Sequence, residues 1–484
     1  MQILRAAALC AACLVAACSS DDTTVVVVPD GGTARVDAGA PRMDVPGRWD
    51  VPPLDVPAPD VVAKDVVEAG ADVTDVPTRA QYCEGTGPAL QIGPPGASRC
   101  AGRLAESVFR YAICACSDLA LAGYLRTDSY DSSRGGPTGE RGGAVGVDGN
   151  YTILGYSNLG DNLTIAGGAP LSLVGVHTLR EDLYLGGSLT VIGTLDVNRD
   201  AHVHGNVTAL GPFHVHRDFQ QQNGSFLLGS ITVDGARSDG MVSYPPPCPC
   251  GPTEVFDIAG AIDDARANND NVAGLFDPTH FDAVVGQQIT VMPCGRYFAN
   301  RVAGLGDIEL HVDGRTALFI DGDFDLGGFF NVVLGAQGEL DVFIRGNVLG
   351  AGYLRMGGSS RPSGVRIYIA GANGFTLLGA SQFVGNVYAP RAPVTIAGYM
   401  NLHGAIFAHD LHTGGDLDVH YDRTIVHAGD ECPPDPTPAT CAHCGSCRSS
   451  QACVAGACGR CRTDADCCDP LVCTAAGVCD SVPP

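Results

Sequence analysis

Between Leu171 and Phe219, apolar residues return every six positions on two interleaved tracks. One track reads Leu171, His177, Leu183, Leu189, Leu195, Ala201, Val207, Phe213 and Phe219, with His177 its single polar member. The other lies two residues on: Leu173, Leu179, Leu185, Val191, Val197, Val203, Ala209 and Val215. Residues i and i+2 of a strand share a face, so each six-residue unit offers one short strand with two inward side chains. Gly175, Gly193, Gly211 and Gly229 recur at intervals of 18, as do Asp182, Asp200 and Asp218. Three sides of six residues close one triangular turn, which predicts a mainly β protein built as a stacked parallel β-helix. The period is shared with left-handed hexapeptide coils. Handedness does not follow from the period alone.

Composition agrees with a corner-rich repeat: 64 glycines and 6% aromatic residues. A formal charge of −24 argues against nucleic acid, whose phosphates would be repelled. Lys64 is the one lysine, so Schiff-base chemistry and a lysine base are excluded from the region expected to fold. Of 21 cysteines, Cys10 and Cys13 fall in the leader and Cys18 stands apart. The even remainder points to an oxidising compartment and a disulfide framework.

In chain order, residues 1–17 read as an export signal, with Arg5 ahead of a short apolar run. Leu14-Val15-Ala16-Ala17-Cys18 resembles the lipobox of bacterial lipoproteins, which implies lipid attachment at Cys18 and a membrane partner through that lipid. Ser19 after the cysteine fits delivery to the outer membrane or cell surface. Residues 18–80 repeat Asp-Val-Pro and read as a disordered acidic tether. Residues 81–133 suggest a helical cap, because Leu104, Val108, Tyr111, Ala112 and Leu119 have helix-like spacing. Two disulfides among Cys83, Cys100, Cys114 and Cys116 are expected to staple it. The β-helix is expected over 134–430, its regular turns starting near Gly143. Gln220, Gln221 and Gln222 break the second track, as where a strand moves to an exposed edge. Residues 236–295 interrupt the coil with Pro245-Pro246-Pro247-Cys248-Pro249-Cys250 and a helix over 254–267. That insertion should lie along one face, with Cys294 pairing with Cys248 or Cys250. Residues 431–484 hold 11 cysteines and read as a module that needs covalent staples. Cys461, Cys467, Cys468, Cys473 and Cys479 there resemble small knotted disulfide modules. A bridge from this tail to the 248/250/294 group would even out two odd sets.

Candidate chemistry is sparse. His202/His204 and His214/His216 are His-x-His pairs that place two imidazoles on one strand face, which suits zinc or copper. Exposed structural histidines are the plainer reading, and no metal is assigned. Asp321, Asp323 and Asp325 put three carboxylates on one strand face, where calcium is the cation to consider and a solvated acidic face the alternative. Nothing in the spacing selects a pair of catalytic acids, and no catalytic residue is assigned. His420 and Asp422 attract notice, but are expected at the coil's end, where a capping role serves as well.

The order Gly385-Asn386-Val387-Tyr388-Ala389-Pro390-Arg391-Ala392, then Gly404-Ala405-Ile406, then His420-Tyr421-Asp422 resembles uncharacterised bacterial surface β-helix proteins. Relatives of that pattern are pilus-associated proteins and myxobacterial lipoproteins. Cys248-Pro249-Cys250 and Pro293-Cys294-Gly295-Arg296-Tyr297 are similar to segments of those lipoproteins. The resemblance implies a right-handed β-helix related in style to polymer-forming bactofilins, and no established activity. The expected role is structural or adhesive, with envelope proteins or polysaccharide as partners. A polysaccharide lyase or hydrolase on the same fold, and a self-assembling scaffold, are the alternatives.

Overall fold

The computed structural model describes residues 78–85, 105, 108–134, 141–166, 168–241, 244–252, 254–349, 354–356, 361–378, 381–428, 452–467, 471–473 and 479–480. The expected leader, the expected lipid-attachment residue Cys18 and nearly all of the expected tether lie outside them, as do Cys100 and Cys468.

The chain forms a parallel β-solenoid of about 13 turns. Inward tracks read as predicted: Leu171, Leu173, Leu183, Leu185, Leu189 and Val191 are all within 1% of full burial. Each pairs in register with the residue 18 or 20 positions away, as Leu171 does with Leu189 and Tyr151.

The order of the turns differs from the order of the chain. Strands Ile113–Ala115 and Leu119–Tyr130 begin the first block of coils, which continues through Val145–Val147 and Tyr151–Leu159 to Arg237–Asp239. The second block starts at Gln287–Met292 and ends at Ile406–Gly414 and Leu417–Asp422. These last strands pair in parallel with Ile113–Ala115 and Leu119–Tyr130. The N-terminal turn is therefore an inner turn, clasped between residues 145–159 and 406–422. Both blocks advance in one direction, so the later half of the chain stacks ahead of the earlier half.

This corrects the expected helical cap. Leu119, Leu121, Gly123 and Leu125 fit the same template as Tyr151, Ile153, Gly155 and Ser157, residue against residue. Only Ala105 and Val108 of the predicted helix are helical among the described residues. The helix-like spacing coincided with the alternation of a strand, and burial against two neighbouring turns decided for the strand. The glutamines do not leave the coil either. Phe219–Gln221 lies in register between Ala201–Val203 and Arg237–Asp239, and Gln221 is buried with its amide donating to the Gly224 carbonyl at 2.9 Å.

The chain returns from the last turn to the first along the outside of one face. Six strand spacings of about 4.8 Å separate Arg237–Asp239 from Ile113–Ala115. The described residues 244–248 lie along that path, with Tyr244 against Tyr184 and His202, and Cys248 reaching Cys114. Three consecutive prolines suit this, since they enforce an extended backbone. Pro247 lies against Gly146, where a Cβ would come within 3.0 Å of its ring. Cys248 bonds Cys114 and Cys250 bonds Cys116. Phe256 then meets Phe343 and Tyr368 edge-on, and Ile258–Ala267 forms the expected helix. It buries Ile258, Ala261, Ile262 and Ala265 across strands Gly295–Ala299, Arg315–Ile320 and Glu339–Ile344. Arg345 and Arg266 tie it down through Asp263 and Asp321. Those strands are buried on both sides, Gly295–Ala299 throughout and the other two beyond their first residue.

The disulfides run between distant segments, not within the N-terminal region as expected. Cys83 bonds Cys294, 211 residues away, and the two other bridges span 134 each. Cys294 thus pairs with neither Cys248 nor Cys250, and none of the three is left for the tail. In the tail, Cys461–Cys473 and Cys467–Cys479 interleave, each 12 apart.

Candidate functional site

With one face of the coil covered by the returning chain, the strands past the bend of each turn form a solvent-facing ladder. The bends in Leu119–Tyr130, Tyr151–Leu159, Leu171–Leu179 and Leu189–Val197 fall at Gly123, Gly155, Gly175 and Gly193, all at positive φ between 127° and 142°. Outward residues before the bend are apolar and more than a third exposed: Leu154, Val174, Ile192, Leu210 and Leu228. After the bend comes Tyr124, in register with Tyr156 and Val176. Tyr156 is 59% exposed and Tyr399 43%. Tyr399 donates to Asp418 Oδ2 at 3.2 Å.

Two residues further along, eight successive turns present Asn401, Asp418, Arg126, Asn158, Thr178, Asp196, His214 and Thr232 in strict register. Every one can donate or accept hydrogen bonds, and none is fully buried. The face is therefore a polar ladder beside a short aromatic row.

A tighter cluster sits on this ladder where the two blocks meet. His420 Nδ1 lies 2.6 Å from Asp128 Oδ1, and Arg126 donates to Asp128 Oδ2 at 3.0 Å. The His403 ring lies 4.8 Å from that of His420. Burial, and then the charge of His420, push the His403 pKa down to about 4, so His403 is neutral at pH 7. His420 is thus at mid-stack and not at the coil's end. Asp422 is fully buried and accepts from the Ser132 amide and hydroxyl, and from the Ser363 and Thr424 amides. Those bonds make it a structural knot. Asp128, the carboxylate that does meet His420, was not singled out in the sequence, because 292 residues separate the two.

The residues weighed as metal candidates resolve differently from one another. His202 stacks on Tyr184 at 5.3 Å under Tyr244, and its Nδ1 lies 3.0 Å from Gln220 Oε1. His204 follows its strand and joins no metal-ligand cluster among the described residues. Asp321 is held by Arg266 and Arg345, Asp323 accepts from the Asn347 amide at 2.7 Å, and Asp325 is exposed. Asp321 is thus taken up by arginines and Asp323 by a backbone amide, and no metal-ligand cluster among the described residues includes any of the three. His214 and His216, by contrast, converge with Asp196 and Asp234.

A family model described as a domain of unknown function (DUF7305) matches residues 250–427. The match takes in the helix of the returning strap and the whole second block of coils, and stops short of the first block. No curated protein and no solved structure matches the chain.

Proposed function

We propose that this chain is a lipid-anchored cell-envelope protein with a structural or adhesive role, binding envelope polysaccharide along the exposed ladder. The observation that carries the reading is the ladder itself: eight turns of polar side chains in register beside Tyr399, Tyr124 and Tyr156. An extended glycan needs repeating hydrogen-bond partners and aromatic faces for its ring C–H groups. A strand spacing of about 4.8 Å is close to the length of one pyranose unit. The strong negative charge favours uncharged or amine-bearing polymers over acidic ones. The lipobox-like leader and acidic tether support display away from a membrane surface.

The test is co-sedimentation of the mature protein with insoluble envelope polysaccharide from the source cells. Wild-type protein should pellet, and Tyr156→Ala with Tyr399→Ala should lower the bound fraction several-fold while the melting temperature stays unchanged. Equal pelleting of wild type and double variant would contradict the reading.

A second reading, a carbohydrate-active enzyme, is favoured by one observation, the His420–Asp128 pair backed by Arg126. A histidine oriented by a buried carboxylate is equipped to move a proton. New sugar ends in the supernatant that vanish in His420→Ala would select it over simple adhesion.

A further inference from the structure

Asp196, His214, His216 and Asp234 occupy three successive turns near the open end of the first block. His214 and His216 leave the same side of one turn, with ring centroids 3.9 Å apart. His216 places Nε2 2.8 Å from Asp196 Oδ1 and Nδ1 3.2 Å from Asp234 Oδ2. His214 places Nε2 3.0 Å from Asp234 Oδ2 and Nδ1 4.0 Å from Asp196 Oδ1.

A neutral imidazole has one N–H. In either tautomer of His216, therefore, one ring lone pair faces a carboxylate lone pair. A divalent cation among the four groups would replace that lone-pair contact with ligand bonds from two imidazoles and the carboxylates.

We propose that Asp196, His214 and His216 bind a divalent transition metal such as zinc or copper, with Asp234 as fourth ligand or as the carboxylate that orients the imidazoles. Two imidazoles with carboxylate oxygen suit these ions, whereas calcium and magnesium prefer all-oxygen shells. Ligand atoms of Asp196, His214 and His216 already lie within 4.8 Å of one another. Their backbones are fixed by the ladder, so side-chain rotation alone closes the site. Such an ion would link the turns of Leu189–Val197, Pro212–Val215 and Ser230–Val233. The last of these is poorly covered: Arg237–Asp239 beyond it is wholly exposed, and no described strand pairs with its outer edge. The metal is thus a clamp on the coil's open end.

The probe is Zn²⁺, added by equilibrium dialysis to chelator-stripped mature protein. Wild type should retain one equivalent. His214→Ala/His216→Ala should lose it, Asp196→Asn should bind roughly tenfold or more weakly, and His202→Ala/His204→Ala should bind as wild type does. Zinc should also slow proteolysis within residues 225–241 in wild type and not in the His214→Ala/His216→Ala variant. These four side chains are at the surface, and circular dichroism checks that the variants fold. No retention by wild type, or the same retention in the His214→Ala/His216→Ala variant, would overturn the proposal.

Discussion

His177 shows how a single residue departs from an otherwise apolar pattern. It occupies an inward position, wholly buried, with Nδ1 2.9 Å from Ser157 Oγ on the adjoining turn. Burial pushes its pKa down to about 4, against about 6.5 in an unfolded chain. As pH falls below 6.5, the unfolded state gains a proton that the folded state refuses until about 4. Stability is lost across that window, up to about 3 kcal/mol from this residue. His403 acts in the same direction. Asp148 acts oppositely: burial raises its carboxyl to about 7, so its contribution is lost as pH rises from about 4 to 7. The wild-type profile mixes these slopes, and the informative quantity is a difference. The stability of His177→Asn relative to wild type should rise as pH is lowered from 6.5 to 4 in denaturant titrations. A constant difference would show that His177 titrates normally.

At the scale of elements, the bend of each long strand depends on the absence of a side chain. A Cβ on Gly193 would stand 2.0 Å from the Gly175 carbonyl oxygen, and Gly193 has φ 127°. Strain and overlap act together, and neither has room to relax between two paired strands. Gly193→Ala should cost about 3 kcal/mol or more, read by thermal unfolding, whereas Gly224→Ala, which meets nothing within 4 Å, should cost little. The 18-residue recurrence made these bends legible, because the requirement repeats. The strands at 119–130 were misread for a related reason. Their turn is separated by a loop from the regular run, and Leu104, Val108 and Tyr111 ahead of it suggested a continuing helix. The helix at Ile258–Ala267 was legible because its apolar side is uninterrupted, with Asp257 capping the Gly260 amide.

For the whole molecule, the decisive feature is that the coil is completed by its own beginning. The second block ends on the turn that starts the first, and the strap from residue 240 onward makes that order possible. Periodicity reports the shape of a turn and nothing about which turn it stacks on, so this arrangement was not legible. The pairing of Asp128 with His420 and the long-range disulfides were hidden for the same reason. Closing a loop of 134 residues limits the unfolded chain by about 5 kcal/mol for the first bridge. The neighbouring Cys116–Cys250 adds less, since that loop is already closed. The strap also decides where a partner can bind, by covering one face and leaving the ladder past the glycine bends open. Peptide mapping of the oxidised mature protein under non-reducing conditions tests this order directly. Linked peptides carrying Cys83 with Cys294, Cys114 with Cys248 and Cys116 with Cys250 are predicted. Bridges confined to Cys83, Cys100, Cys114 and Cys116 would contradict it, returning the N-terminal region to a separate cap.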